Sequence, residues 1–285
     1  MLRNTIVYYS LFKMCWIIGH LPRKMMHCFG NFFGHLLYRF VAIRKKTSKE
    51  NIRVAFPSLN NSDIENILTN MYRHFGKVLM DFFRLPFLSK KKLDMLIEMT
   101  PSAKTIINTR TNGIVLSAHF GNWELLPHIL AISGLAVSAI ARPQKDPGFD
   151  RFITWVRKSN GCKLISSRAS TKEMMDELSQ NFLVIVGDQR GSKRGIDINF
   201  FGKPARSPKG FCVFHIKTEI PIYFTTVVLG DNGTYILDME EIIIEQNGTD
   251  INDRIRSINQ KYHHMLEDII KQHPQQYFWF HRKWL

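Results

Sequence analysis

From residue 113 onward the chain alternates short apolar runs with amphipathic segments of helical period. The run near 114–118, short and uninterrupted, fits a strand buried on both faces of a sheet, and the runs near 136–141, 162–165, 182–187 and 220–229 read as further strands. The segments between them predict helices near 122–133, 148–159, 170–180 and 208–217, and a longer helix from about Ile251 to Gln272. Asp231-Asn232-Gly233-Thr234 is a hairpin signal, which makes the last strands antiparallel. The fold class expected is α/β, a mixed, mainly parallel sheet flanked by helices.

The first third reads differently. Residues 5–21 are rich in aliphatic and aromatic side chains but contain Lys13, and they are shorter and more polar than the roughly 20 apolar residues of a spanning helix. A marginal single span is one reading of them. After Pro22-Arg23-Lys24, residues Met25, Met26, Phe29, Phe33, Leu36, Leu37 and Phe40 recur at helical spacing, with His27, Asn31, His35 and Arg39 opposite and Arg44-Lys45-Lys46 following. This describes a helix lying in a membrane surface, or equally an amphipathic helix packed on the core. On the first reading residues 1–46 are a helical membrane-anchoring segment and 47–285 the main domain. Asn51 to Pro57 reads as a turn, Ser62 with Glu65 as a capping box opening a helix through Met80, and Lys90 to Met99 as a further helix ended by Pro101-Ser102.

Chemistry-bearing residues gather at the predicted strand ends. His119 and Glu124 flank Phe-Gly-Asn-Trp just after the run 114–118. Asn122 is a natural N-cap for the next helix, with Trp123 and Glu124 in its first turn. Residues five apart on a helix diverge by about 140°, but a histidine in the turn and a glutamate one turn into the helix can meet. That is a base with an orienting acid, at the open end of a strand where α/β folds place their sites. The bland alternative is a loop histidine and a first-turn acid favoured by the helix dipole. Arg142 follows the second run, Arg157 lies near the end of the second helix, and Asp188-Gln189-Arg190 follows a buried Val-Ile-Val run. A glycine-rich, basic stretch from Ser192 to Gly210 is long enough to be a functional loop.

Composition narrows the partners. Of 285 residues 45% are hydrophobic and 12% aromatic, which excludes a disordered chain. A formal charge of +15 suits polyanions: nucleic acid, anionic lipid or an acidic carrier protein. Cys15, Cys28, Cys162 and Cys212 have neither disulfide-like nor metal-ligand spacing and read as reduced thiols. No phosphate-loop or dinucleotide motif is present, so no cofactor and no metal is expected.

His-Phe-Gly-Asn-Trp-Glu, Ala-Arg-Pro, Arg-Lys-Ser-Asn-Gly, Gly-Asp-Gln, Phe-Phe-Gly and the terminal Gln-Tyr-Phe-Trp-Phe-His-Arg-Lys-Trp, in this order, resemble one family. It is the bacterial lipid A late acyltransferases, the lauroyl and myristoyl transferases, within the lysophospholipid-acyltransferase-like superfamily. Asn-Ile-Arg-Val-Ala-Phe-Pro also fits, so the resemblance covers nearly the whole chain. It implies an acyltransferase domain over 47–285, bound to the cytoplasmic face of a bacterial inner membrane. The enzyme would pass an acyl chain from acyl carrier protein to a hydroxyl of a lipid A precursor, an anionic glycolipid. By position His119 matches the catalytic base and Glu124 its orienting acid, while Arg157, Asp188, Gln189 and Arg142 match substrate-site positions; Arg282 matches a position of unassigned role. Arg190 and the basic stretch through Lys203 depart from the pattern and leave the acceptor's identity open. The Phe-Pro-Glu-Gly-Thr-Arg motif of glycerophosphate acyltransferases is absent. The rivals are a related acyltransferase acting on another glycolipid or aminolipid, and a basic membrane-attached binding protein. For nucleic acid in particular, the aromatics cluster at the two chain ends rather than interleaving with basic residues, so no nucleic-acid partner is expected.

Overall fold

The computed structural model describes residues 2–244 and 250–284. Its first third is helical: α1 (Leu2–His20), α2 (Arg23–Leu36), α3 (Lys45–Ala55), α4 (Asn61–Arg84) and the short α5 (Lys90–Asp94). Next come β1 (Ile97–Met99), α6 (Pro101–Thr109), β2 (Gly113–Ser117), α7 (Leu126–Ile132), β3 (Val137–Ala141), α8 (Pro147–Lys158), β4 (Lys163–Ser166) and α9 (Thr171–Leu178). The chain continues through β5 (Phe182–Val186), β6 (Ile196–Phe200), β7 (Lys203–Ser207), α10 (Gly210–Thr218), β8 (Ile222–Leu229), β9 (Tyr235–Glu241) and α11 (Ile251–Gln272).

Seven of these strands form one sheet in the order β1-β9-β8-β2-β5-β3-β4. β8 and β9 run antiparallel, as the Asn-Gly turn requires, and the other neighbours run parallel. All five residues of the central strand β2 are buried. Because successive side chains point to opposite faces, Ile114 and Leu116 enter a core shared with α4, α10 and α11, while Val115 enters a second core with α6, α7 and α8. Two apolar layers therefore clamp the sheet, each fully buried aliphatic side chain contributing roughly 1.5–3 kcal/mol.

Several local expectations are corrected. Asn51 to Pro57 is not a turn throughout: Asn51 to Ala55 complete α3, and the Asn51 amide donates to the carbonyls of Trp279 (2.7 Å) and His281 (2.6 Å). α4 is capped two residues earlier than the capping box suggests, with Asn60 accepting from the Asp63 N–H. Lys90 to Met99 divides into α5 and β1, and Pro101 opens α6 behind the Thr100 cap rather than ending a helix, since proline suits a first helical position. Asn122 caps nothing. Its amide is drawn to the Tyr235 hydroxyl at 3.0 Å, and the helix starts only at Leu126. The basic stretch contains the β6–β7 hairpin.

Among the described residues no helix is long and apolar enough to cross a membrane, so a spanning first segment is not present there. α1 packs on α8 and α4 and buries Cys15 completely. α2 lies against α4, with Met26, Gly30 and Gly34 on its inner face. On its outer side Met25, Phe29, Phe32 and Phe33 stand exposed, as do Phe40, Val41 and Ile43 just beyond.

The α2–α4 contact depends on missing side chains: a Cβ on Gly76 would run into the Gly30 carbonyl, and one on Gly34 into that of Tyr72. Gly76→Ala should therefore lower stability by about 1–3 kcal/mol in thermal or urea unfolding. Gly210→Ala, where a Cβ meets nothing within 4 Å, should be neutral or slightly stabilising. Equal effects at the two positions would contradict this account of the contact.

Candidate active site

β2 and β5 are hydrogen-bonded neighbours with Ser117 opposite Val186. The Gly187 N–H donates to the Ser117 carbonyl at 2.9 Å, so the two chains leave the sheet side by side. The second residue past β2 is His119 and the second past β5 is Asp188. Their side chains meet: His119 Nδ1 lies 2.7 Å from Asp188 Oδ1, which also accepts the His119 backbone N–H at 3.1 Å. A carboxylate only accepts, so Nδ1 carries the proton and Nε2 offers a lone pair.

Glu124 does not orient His119. Gly121, at φ +58, has no room for a Cβ against the Val227 carbonyl. Its N–H donates to the Gln276 carbonyl at 2.9 Å, and the Asn122 N–H donates to that of Val227 at 2.8 Å. With the turn pinned in this way, the Glu124 carboxylate faces α8, where Arg157 donates to it through Nε at 3.0 Å and Nη2 at 2.5 Å. A bidentate pair of this kind is strong and directional. Glu124 acts on His119 through its charge alone.

Nε2 of His119 lies 3.2 Å from the Gln189 amide nitrogen, which is also 3.2 Å from Nε2 of His281. The imidazole packs edge-on against Trp123, with ring centroids 4.9 Å apart, and beside Phe278 at 6.0 Å. It opens on a cavity of about 550 Å³, a size ordinary for a small-molecule site. His119, Glu124, Arg142, Arg157 and Gln189 line this cavity; Asp188 stands behind the imidazole, 1% exposed. Ala139, Leu164 and Val184 supply apolar wall. The residues singled out in the sequence thus come together, and the pairing among them is what differs.

Electrostatics follow from burial and pairing. Burial pulls the His119 imidazole down, but the charge and hydrogen bond of Asp188, with Glu124 adding, carry it above its ordinary value. For Asp188 burial raises the carboxyl, and His119, Lys283 and the hydrogen bonds outweigh it and hold the group well below the usual range. His281 is pushed down to about 4 by burial and the neighbouring imidazole, and so is neutral. The terminal segment supplies what sequence reasoning missed, His281 and the buried Lys283, while Arg282 is exposed. A charged residue set between aromatics in His-Arg-Lys-Trp was the available signal. Among the described residues no group of three or more His, Cys, Asp or Glu stands as metal ligands would.

Comparison with known proteins agrees in kind. Phosphatidylinositol mannoside acyltransferase of Mycobacterium tuberculosis, from strains H37Rv and CDC 1551, is 23% identical over 154 residues, 50% of this chain and 48% of the relative. The chain thus spans about half the length of the curated relatives it matches. A crystal structure of a 1-acyl-sn-glycerophosphate acyltransferase from Thermotoga maritima aligns over 87% of this chain and 98% of its own, at 14% identity and a TM-score of 0.40. The profile of the bacterial lipid A biosynthesis acyltransferases matches residues 1–285, and the chain belongs to that family.

Proposed function

We propose that the protein transfers a fatty acyl chain from acyl carrier protein to a hydroxyl of an anionic lipid A precursor, at the cytoplasmic face of a bacterial inner membrane. The observation that carries this reading is the His119 imidazole, held at Nδ1 by Asp188 and presenting Nε2 to a half-apolar cavity.

The acceptor hydroxyl displaces the Gln189 N–H from Nε2 and hydrogen-bonds there. As its oxygen attacks the thioester carbonyl carbon, the proton passes to Nε2; Asp188 remains ionised and balances the imidazolium. The tetrahedral intermediate collapses, the C–S bond breaks, and the thiolate takes the proton from Nε2. An ester and a free carrier thiol result, and His119 is neutral again. Arg157, fixed by Glu124, and Arg142 are the cations available to anionic parts of the substrates. The formal charge of +15 favours an acidic carrier and a phosphorylated acceptor alike. A second reading, the same chemistry on another bacterial glycolipid, is favoured by the mycobacterial relative, a phosphatidylinositol mannoside acyltransferase, whose match takes in half of this chain.

The exposed apolar side chains of α2, beside Lys24, Arg39 and Arg44, support attachment to a membrane surface. The thiols carry no disulfide among the described residues, and no step of this chemistry calls on a cofactor.

Mass spectrometry of lipid A from cells with and without the protein is expected to differ by one acyl chain. Unchanged lipid A with an altered second glycolipid would transfer the reaction to the alternative acceptor.

In an assay of the purified enzyme, His119→Ala should lose transfer while keeping its fold. Because His119 must be neutral to act and its pKa is raised, kcat/KM should fall on the acid side with a midpoint above the ordinary histidine value of about 6.5. Asp188→Asn removes the charge that holds the proton, so it should move that limb to lower pH and cost about 10²–10⁴ in rate. Glu124→Gln should move the limb less and act mainly by freeing Arg157. A larger shift from Glu124→Gln than from Asp188→Asn would return the orienting role to Glu124.

Phe29→Asp with Phe32→Asp should weaken partition onto vesicles containing anionic lipid by about tenfold or more. Undiminished partition would place the membrane contact elsewhere.

A further inference from the structure

The carboxyl-terminal segment crosses the site. The Phe278 N–H donates to the His119 carbonyl at 2.9 Å, and Asn51 on α3 holds the carbonyls of Trp279 and His281. Two residues later the chain turns Lys283 inward, leaving it 2% exposed.

Its ammonium Nζ donates to the Asp188 carbonyl at 2.6 Å and to Nε2 of His263 at 2.9 Å, and lies 5.1 Å from the centre of the Phe200 ring. His263 is fully buried on α11, and its Nδ1–H donates to the Asn259 carbonyl at 2.8 Å. Burial and Lys283 push this imidazole far below its usual value, so it is neutral and can only accept at Nε2. Neither acceptor of the ammonium carries a charge.

A cation in such surroundings is costly unless a nearby anion answers it. The anion is the Asp188 side chain, whose own carbonyl the ammonium grips. Facing that carboxylate are the Nδ1–H and backbone N–H of His119, Lys283, and the phenols of Tyr262 and Tyr277. Facing His119 are Asp188, Glu124, Arg157 and His281. Were a hydrogen bond to the carbonyl all that this position needed, a neutral amide would serve at lower cost.

We propose that Lys283 is a positioning residue for acyl transfer, clamping the Asp188 backbone and acting as the buried counter-cation that keeps its carboxylate ionised and aimed at His119. The inference rests on the reading of His119 as the base. Lys283 also limits how strongly Asp188 holds a proton on His119: with the cation gone, the same carboxylate would keep the imidazole protonated to higher pH.

The test follows histidine ring resonances by NMR in the full-length protein in detergent. Lys283→Gln keeps a donor for the carbonyl and removes the charge, and His119 should then titrate about one unit higher than in the wild type. Lys283→Arg keeps the charge and should leave the midpoint within a few tenths of a unit. An unchanged or lower midpoint in folded Lys283→Gln overturns the proposal. Should that variant not fold, Asp188→Asn decides, since it keeps the backbone carbonyl that Lys283 grips and removes only the anion. The Lys283 methylenes, identified by their ring-current shift beside Phe200, should then titrate lower than in the wild type, because burial acts on the ammonium without the carboxylate that opposes it. An unchanged or higher Lys283 midpoint in Asp188→Asn overturns the proposal. These titrations need no substrate, so a shifted midpoint in a protein that transfers no acyl chain would count against the proposed reaction alone.

Discussion

Everything at the centre of this molecule depends on one hydrogen bond, from His119 Nδ1 to the buried carboxylate of Asp188. A carboxylate that is 1% exposed needs compensating donors and charge close by. The parallel pairing of β2 with β5 brings the two residues to one end of the sheet. The Tyr262 hydroxyl, from α11, donates to the Ser117 carbonyl at 3.0 Å and ties the end of β2 to the helix that carries His263. The terminal segment then closes over the pair through Phe278 and Lys283. The sheet, α11 and the last ten residues thus converge on one carboxylate and one imidazole.

The elements after residue 113 were legible because burial on both sheet faces leaves a plain mark, a mostly apolar run without alternation; β5 carries it unbroken, β2 is broken only at its ends, and β3 and β8 carry it with only Ser138 and Thr225-Thr226 intervening. Turns were less legible because one local signal serves two outcomes. Pro101 can end a helix or open one, and Asn122 can cap a helix or bond a distant tyrosine; Tyr235, far along the chain, decided the second case. The β6–β7 hairpin was hidden by its charge, although Ile196, Ile198 and Phe200 alternate with Asp197 and Asn199 as a half-buried strand does. The candidate site residues were legible as spatial neighbours, since five of the six line one cavity and the sixth stands just behind. Their pairing was not, because it follows from β5 lying beside β2, and strand order is not written in local pattern. Glu124, close in sequence, lost to Asp188, close in space.

The packed-helix reading describes the inner side of α2. Its inner face packs on α4 and also carries polar ties: Asp81 accepts from Arg23, from His27 at 2.9 Å and from the Tyr235 hydroxyl at 2.7 Å. Tyr235 in turn accepts from Asn122, in the turn that follows His119. The outer face keeps its aromatics exposed. A short chain of hydrogen bonds therefore joins the inner side of α2 to the turn that follows His119, and under the proposed attachment a lipid surface resting on the outer side would hold the cavity at a fixed height and tilt. In the proposed reaction, rigid support of this kind would let a soluble carrier and a membrane-embedded acceptor meet at one histidine.

Gln189 shows how the site stays ordered before a substrate arrives. Two imidazole lone pairs, on His119 and on His281, can be met together only by an amide NH2, so the orientation of the side chain follows from its partners. Neutral His281 makes this possible, because an imidazolium would have no lone pair to offer and would repel the neighbouring ring. In the proposed reaction a hydroxyl would take the place at His119 Nε2, and Gln189 would keep its bond to His281 and lose one of two. His119 would thereby be uncovered by exchanging one hydrogen bond for another, an exchange that costs far less than leaving a buried lone pair empty.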